Sequence, residues 1–440
     1  MDKIKVTGGV RLNGEIQISG AKNAALPLMA ASILTDDVIT LSNVPYLADI
    51  VTMAKLLGQH GVDISFPDSS GSSVGDGGKV VSLCAKNVSN LTAPYELVRT
   101  MRASVLVLGP LLARFKAAKV SLPGGCAIGT RPIDLHLKAL EQMGAVVELK
   151  DGYVHAHTDD RLKGAEINFE KVSVGATENI LMAACLADGV TILRNAACEP
   201  EIYDLAQCLI KMGAMIEGAG TDTIKITGVE KLSGCEHRVI FDRIEAGSFA
   251  AAAAITGGSI ELIGADINYM QAVVEKFTDA GIEIVKTERG IKVNGNGKIK
   301  CIDLMTQPYP SFPTDMQAQM MALLCVADGA SMITETIFEN RYMHVPELIR
   351  MGAKIVVHGA SAMIRGVDEL RGAEVMATDL RASISLVIAA LAAKGETVIH
   401  RVYHLDRGYE RLEEKLSACG AKIERISDRS GSKNIISEAA

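Results

Sequence analysis

The chain has no tryptophan, and aromatic residues make up only 4% of its 440 positions. A surface that stacks nucleobases on aromatic rings is therefore excluded. Positive charge is short too: the formal net charge is −7, which leaves no broad basic footprint for nucleic acid. Long apolar runs are missing. The most apolar stretches, such as ASISLVIAALAAKG, fall short of a membrane span, and the opening MDKIKVTGGV has no apolar signal core. A cytoplasmic protein is expected, with neither nucleic acid nor membrane as a partner. Also absent are short-spaced Cys pairs of the metal-binding kind, a lysine after the last glycine of GGCAIGT, and a GxGxxG behind a strand. A Walker site and a dinucleotide fingerprint are rejected, and neither metal nor cofactor is expected. His155 and His157 in YVHAHT alternate along a strand and read as a solvated face.

What is present is 48% hydrophobic and 22% charged, the profile of a globular chain long enough for two domains or a large barrel. Most of the nine cysteines sit in apolar helical runs (LMAACLAD, LAQCLIKMG, MALLCVADG) and read as small buried hydrophobes. Cys126 differs. SLPGGCAIGTRP holds it among Gly124, Gly125 and Gly129, five residues before Arg131. A thiol on a loop of that freedom, beside a fixed positive charge, points to chemistry.

One phrase recurs six times: LLGQHGVDIS, LEQMGAVVEL, LIKMGAMIEG, FTDAGIEIVK, LIRMGAKIVV and LSACGAKIER, with its glycine at 61, 144, 213, 281, 352 and 420. Spacings near seventy are too long for a solenoid and mark a complete supersecondary unit. Each unit reads as a polar stretch opening an apolar helix, a strand, a second helix ending at the glycine, then short alternating strands. The expectation is an α/β fold of six βαβαββ units, three per lobe. Segment 1–21 supplies the first strands of the lobe completed by the C-terminal half, 22–240 forms the lobe with the Cys126 loop, and 241–440 forms the second. The chain then crosses between lobes near 20 and again near 235–242, which suggests a hinge.

The inner-helix entrances carry the charge: Lys22-Asn23, Arg99 with Arg102, Thr177-Glu178, Asp242 to Glu245, Thr314-Asp315, and Asp379 with Arg381. For Thr314 and Asp379 ordinary capping competes with function. Lys22, Arg102 and Arg381 stand where the helix dipole disfavours a cation. An anion in front of these helices would offset that penalty.

SGAKNAALP, VRTMRAS, LPGGCAIGTRPIDLH, KVSVGATEN, NAACEPEI, DRIEAG, FPTDMQ, TDLRAS and LDRGYERLEEKL occur in the order found in the UDP-N-acetylglucosamine enolpyruvyl transferase family, which the chain resembles from about residue 1 to about residue 420. The resemblance implies a two-lobed inside-out α/β barrel and transfer of the enolpyruvyl group of phosphoenolpyruvate to UDP-N-acetylglucosamine, with both small molecules as partners. It implies Cys126, Asp315, Lys22 and Arg407 as catalytic residues. Lys22, Asn23, Arg131, Arg407 and nearby Arg381 match phosphoenolpyruvate contacts, with Asp379 beside them. Arg102, the run Arg131, Pro132, Ile133, Asp134 and Leu135, the loop Lys171, Ser173, Val174 and Gly175, and Asp315 with Ile337 match the nucleotide-sugar contacts. The loop cysteine implies sensitivity to the epoxide antibiotic fosfomycin. One departure is visible: NVPYLADI carries Tyr46 and Ala48 where some members have lysines. Two rival readings are an enolpyruvyl transferase for shikimate phosphate, which the cysteine loop opposes, and a non-catalytic sugar-nucleotide binder, which needs neither acid nor base. The sequence leaves the oligomeric state open.

Overall fold

A computed structural model describes residues 2–66, 79–122, 133–338 and 340–427. Within them are six four-stranded sheets of one design. A short strand runs parallel to the second strand, and the remaining two pair antiparallel. Glu166–Asn168, Val190–Arg194, Thr223–Thr227 and Met215–Glu217 show the pattern in one sheet. In four of the sheets the chain between the parallel neighbours makes a helix that sits inside the lobe; the other two take their parallel strand from a distant part of the chain. Between the second and the outermost strand it makes an amphipathic helix outside.

The inner helices follow from composition. Arg243–Ile255 is buried at every position after its first, and Ser383–Ala392 carries the run SISLVIAALA with no polar face. A helix apolar all round belongs at a centre. The sheets around it alternate buried and half-exposed residues, as in Ala117–Ser121 and Ser259–Ile263, and so face it on one side only. Buried side chains fall into two clusters. One is built from residues between Ala21 and Val239; the other joins Ile4 to Ile18 with Ile244 to Ile423. The molecule has two lobes.

The six glycines of the recurring phrase share one conformation, with φ of 99°, 90°, 103°, 86°, 96° and 93°. That left-handed region closes an outer helix and turns the chain into its strand, and a Cβ there is strained. The repeat in the sequence is thus a repeated backbone requirement.

The first strands cross over. Lys3–Thr7 lies between Glu396–His400 and Lys422–Ile426, antiparallel to both, and Asn13–Gln17 runs parallel to Ser259–Ile263. In exchange, Cys235–Arg238 pairs parallel with Val38–Val44. The two passages between lobes touch each other: Gly20 bridges Phe241, Ala21 N–H donates to Ile240 O at 2.7 Å, and Asp242 N–H donates to Ser19 O at 2.8 Å. A Cβ at Gly20 would stand 1.8 Å from the Asn43 carbonyl oxygen. Backbone cannot retreat like a flexible side chain, so Gly20→Ala is expected to cost about 2–3 kcal/mol in urea unfolding.

Candidate active site

Three inner helices of the second lobe begin within one side chain's reach of each other. Asp242 caps the first by accepting the N–H groups of Ile244 and Glu245 at 2.8 and 3.0 Å. Asp315 lies in the turn Thr314–Met316 that opens the second. Asp379 holds the turn that leads into the third, accepting the N–H groups of Arg381 and Ala382 at 2.9 Å each. Arg381 joins all three starts, with Nη2 3.5 Å from Asp242 Oδ2 and Nε 3.4 Å from Asp315 Oδ2. Its guanidinium lies over the Tyr409 ring at 5.6 Å and is only 4% exposed. Burial works against its charge, yet Asp242, Tyr409 and Asp315 raise its pKa. Its Nη1 is buried without a hydrogen-bond partner among the described residues. A buried donor left unmade is costly, and an arriving anion would satisfy it.

Asp315 is held from its other side by Arg341, whose Nη2 lies 2.6 Å from Oδ1. Arg341 also donates to Thr314 Oγ1 at 2.9 Å, and that hydroxyl donates to Glu335 Oε2 at 2.8 Å. Glu335 Oε1 in turn accepts the Ile337 N–H at 2.8 Å, so Ile337 belongs to the same network. Thr314 acts here as a link and not as a helix cap.

The first lobe contributes Lys22, the first residue of the inner helix Lys22–Ala31, buried with no side-chain cap before it. Its Nζ is 2.9 Å from Asp49 Oδ2. Arg407 of the second lobe reaches the same carboxylate, with Nε 2.9 Å from Oδ1 and Nη2 3.4 Å from Oδ2. One buried carboxylate thus joins two cations across the lobe boundary. Burial lowers the Lys22 pKa, and Arg381 and Arg407 push the same way against Asp49. For Asp49 burial opposes charge, but Lys22 and Arg407 outweigh it and hold the pKa below the usual carboxylate value. Asn23 is exposed beside Lys22. The loop at Tyr46 lacks a lysine of its own, but Lys79 Nζ stands 3.9 Å from the Tyr46 ring centroid.

A second part of the first lobe gathers other expected residues. Ser173 caps the helix Val174–Ala184 by accepting the Ala176 N–H at 3.3 Å. Gly175 stands close to the His136 ring, where an added Cβ would lie 3.4 Å from Cε1. His136 is on the helix Asp134–Gln142, directly after Ile133, Asp134 and Leu135. Its Nδ1 is 3.0 Å from Asn179 Nδ2, which also donates to Val105 O at 3.1 Å. Burial, with the Arg102 charge adding, brings the His136 pKa down to about 3. Arg102, Ile133 to Leu135 and Ser173 to Gly175 are thus neighbours, and Lys171 is exposed just before them. Cys126, Arg131 and Pro132 lie outside the described residues.

A neutral buried imidazole has a pH signature. The folded pKa is below the unfolded one, so the unfolded chain binds more protons between about 6.5 and 3, and stability falls as pH falls through that window. Between pH 6.5 and 5 the wild type should lose about 1.6 kcal/mol more than a His136→Gln variant in denaturant titrations.

Several members of this site carried no distinct sequence signal. Asp49 looked like an ordinary acidic residue in a helix's first turn. Arg341 and Glu335 lie outside any entrance motif. Glu201 in NAACEPEI and Arg243 in DRIEAG lie in recognised motifs, but nothing in the sequence pairs them: they form another buried pair across the lobes, at 3.1 Å, and stand 42 positions apart. Among the described residues no group of three or more His, Cys, Asp or Glu could hold a metal ion, and no helix is long and apolar enough to cross a membrane.

Comparison with known proteins adds the lineage. The family model described as EPSP synthase (3-phosphoshikimate 1-carboxyvinyltransferase) matches residues 6–416. The UDP-N-acetylglucosamine 1-carboxyvinyltransferase of Paramagnetospirillum magneticum is 62% identical over 97% of this chain and 99% of that protein. Its namesake in Rhodospirillum centenum is 63% identical with the same coverage. Among solved structures, the enolpyruvyl transferase NikO from Streptomyces tendae superposes with a TM-score of 0.85 at 22% identity, covering 96% of this chain and 98% of that one. An EPSP synthase from Acinetobacter baumannii gives 0.75 at 19% identity, over 97% of this chain and all of that one. Those two share the fold; the close relatives narrow the assignment, and the chain belongs to the enolpyruvyl transferase family, among its UDP-N-acetylglucosamine 1-carboxyvinyltransferases.

Proposed function

We propose that this chain transfers the enolpyruvyl group of phosphoenolpyruvate to the 3-hydroxyl of UDP-N-acetylglucosamine with release of phosphate, the first committed step of peptidoglycan synthesis. The observation that carries it is the convergence of Lys22, Arg381 and Arg407 at the lobe boundary with Asp315 alongside, in a chain so similar to transferases of that name. This reading places the protein in the cytoplasm, without nucleic-acid or membrane partners.

The chemistry fits the charges. Phosphoenolpyruvate brings about three negative charges and the diphosphate about two, by analogy with other phosphate groups near neutral pH. A closed cleft cannot hold them uncompensated. Lys22, Arg381 and Arg407 are assigned to phosphoenolpyruvate together with Asn23 and Arg131, and Asp379 sets the Arg381 backbone. Arg102, the run 131–135 and the loop 171–175 are assigned to the sugar nucleotide, with Ile337 beside the sugar. Arginine suits carboxylate and phosphate because its planar fork binds both through paired hydrogen bonds.

The enol carbon becomes an electrophile once the methylene carbon takes a proton, a step assigned to the Cys126 thiol. The sugar 3-hydroxyl then attacks the cationic carbon and gives its proton to Asp315. Arg341 and Arg381 keep that carboxylate in one orientation. The tetrahedral intermediate loses a proton and phosphate, leaving an enolpyruvyl ether. The test is phosphate release on mixing the chain with both substrates, with shikimate 3-phosphate as the alternative acceptor. Release that requires UDP-N-acetylglucosamine supports the assignment. Release with shikimate 3-phosphate alone, or none with either, overturns it.

A further inference from the structure

The outer helix Pro200–Lys211 lies along the strand Cys235–Arg238, which leads into the second passage between lobes. Asp204, Cys208 and Lys211 share one helix face, at i, i+4 and i+7. Asp204 Oδ1 is 2.9 Å from His237 Nε2, and Oδ2 accepts the Ile240 N–H at 3.2 Å. Lys211 Nζ is 3.4 Å from both the Glu236 carbonyl oxygen and His237 Nδ1. Between these polar anchors the sulfurs of Cys208 and Cys235 face each other at 3.7 Å. Both are free thiols; Cys208 is buried and Cys235 half-buried. No step of the transfer reaction uses either.

A disulfide is about 2.05 Å long, so bond formation asks for a closure of about 1.7 Å between two elements already in register. The two thiols are also unequal. The hydrogen bond shared with Cys208, helped by His237 and Lys211, brings the Cys235 pKa down to about 7 against the effect of burial. The same contact, together with burial, pushes Cys208 up. The half-exposed sulfur is therefore the nucleophile and the buried one its resolving partner.

We propose that Cys208 and Cys235 form a reversible thiol–disulfide modification site, oxidised by low-molecular-weight disulfides such as glutathione disulfide, whose closed form pins the outer helix to the strand entering the inter-lobe passage. The Cys235 thiolate attacks one sulfur of glutathione disulfide, the S–S bond breaks, and one glutathione thiolate leaves. Cys208, giving up its proton, attacks the Cys235 sulfur of the mixed disulfide and expels the second glutathione. Two protein thiols are oxidised and one glutathione disulfide is reduced; the two protons end on the glutathione sulfurs. The helix so tied also carries Glu201, which pairs with Arg243 of the other lobe, and Asp204, which holds Ile240 in the passage. Oxidation therefore stiffens the passage.

The test equilibrates the full chain, with Cys126→Ser to silence that thiol, at rising ratios of oxidised to reduced glutathione. Alkylation and peptide mapping read the bridge; hydrogen exchange reads residues 239–242. The expected result is a Cys208–Cys235 peptide that disappears on reduction, with exchange in the passage slowed roughly tenfold while it is present. With Cys208→Ala added, Cys235 should stop at the glutathione adduct and exchange should not slow. Two alkylatable thiols in excess glutathione disulfide, or a bridge that leaves exchange unchanged, overturns the proposal.

Discussion

Asp315→Asn is expected to lower kcat by about 10²- to 10⁴-fold while KM for both substrates changes little, the range typical of a lost general base. The amide keeps the shape of the carboxylate and one acceptor oxygen toward Arg341, so the turn Thr314–Met316 should stay folded. It cannot take the proton of the sugar hydroxyl. Steady-state kinetics with phosphate release as readout, beside circular dichroism of the same sample, checks the claim. A loss under tenfold would assign Asp315 to holding Arg381 and Arg341, and the base would have to be sought elsewhere.

The second large effect is expected at Asp49. Asp49→Asn leaves the buried Lys22 ammonium and the Arg407 guanidinium facing each other with no anion between. Breaking a buried pair by removing one partner costs about 3–5 kcal/mol, because the remaining charge is stranded. The loss should show in thermal or urea unfolding. Because phosphoenolpyruvate would bring negative charge to the same cations, adding it should restore more stability to the variant than to the wild type. Equal stabilisation of both would show that these cations do not meet the ligand. The pH dependence has a definite sign: Asp49, held below its ordinary pKa, contributes stability that is present above the unfolded value and lost as acid protonates it.

How much of this the chain announces depends on whether a residue breaks a local rule. The glycines at 61, 144, 213, 281, 352 and 420 do, since each needs a positive φ, and six of them outline the whole architecture. Lys22 and Arg381 do as well, as cations at helix starts, and both belong to the buried charge network. Asp49 breaks no rule. An acid in a helix's first turn is favourable locally, and its partner Arg407 is 358 positions away. Asn179 and His136 look like ordinary helix residues until the fold sets one amide against one imidazole and the Gly109 N–H. Pairings made by tertiary structure leave no periodic trace. Cys126 had the strongest motif of all, and with Arg131 and Pro132 it falls outside the described residues.

The exchanged strands bear on how the chain is made. Lys3–Thr7 leaves the ribosome long before its two neighbours, Glu396–His400 and Lys422–Ile426. The first lobe can close once Cys235–Arg238 has emerged to pair with Val38–Val44. The opening strands must wait, tethered to a finished lobe, with unpaired edges until their partners in the second lobe have been made. Their lysines at 3 and 5 are the kind of charge that keeps a waiting edge from joining the wrong neighbour.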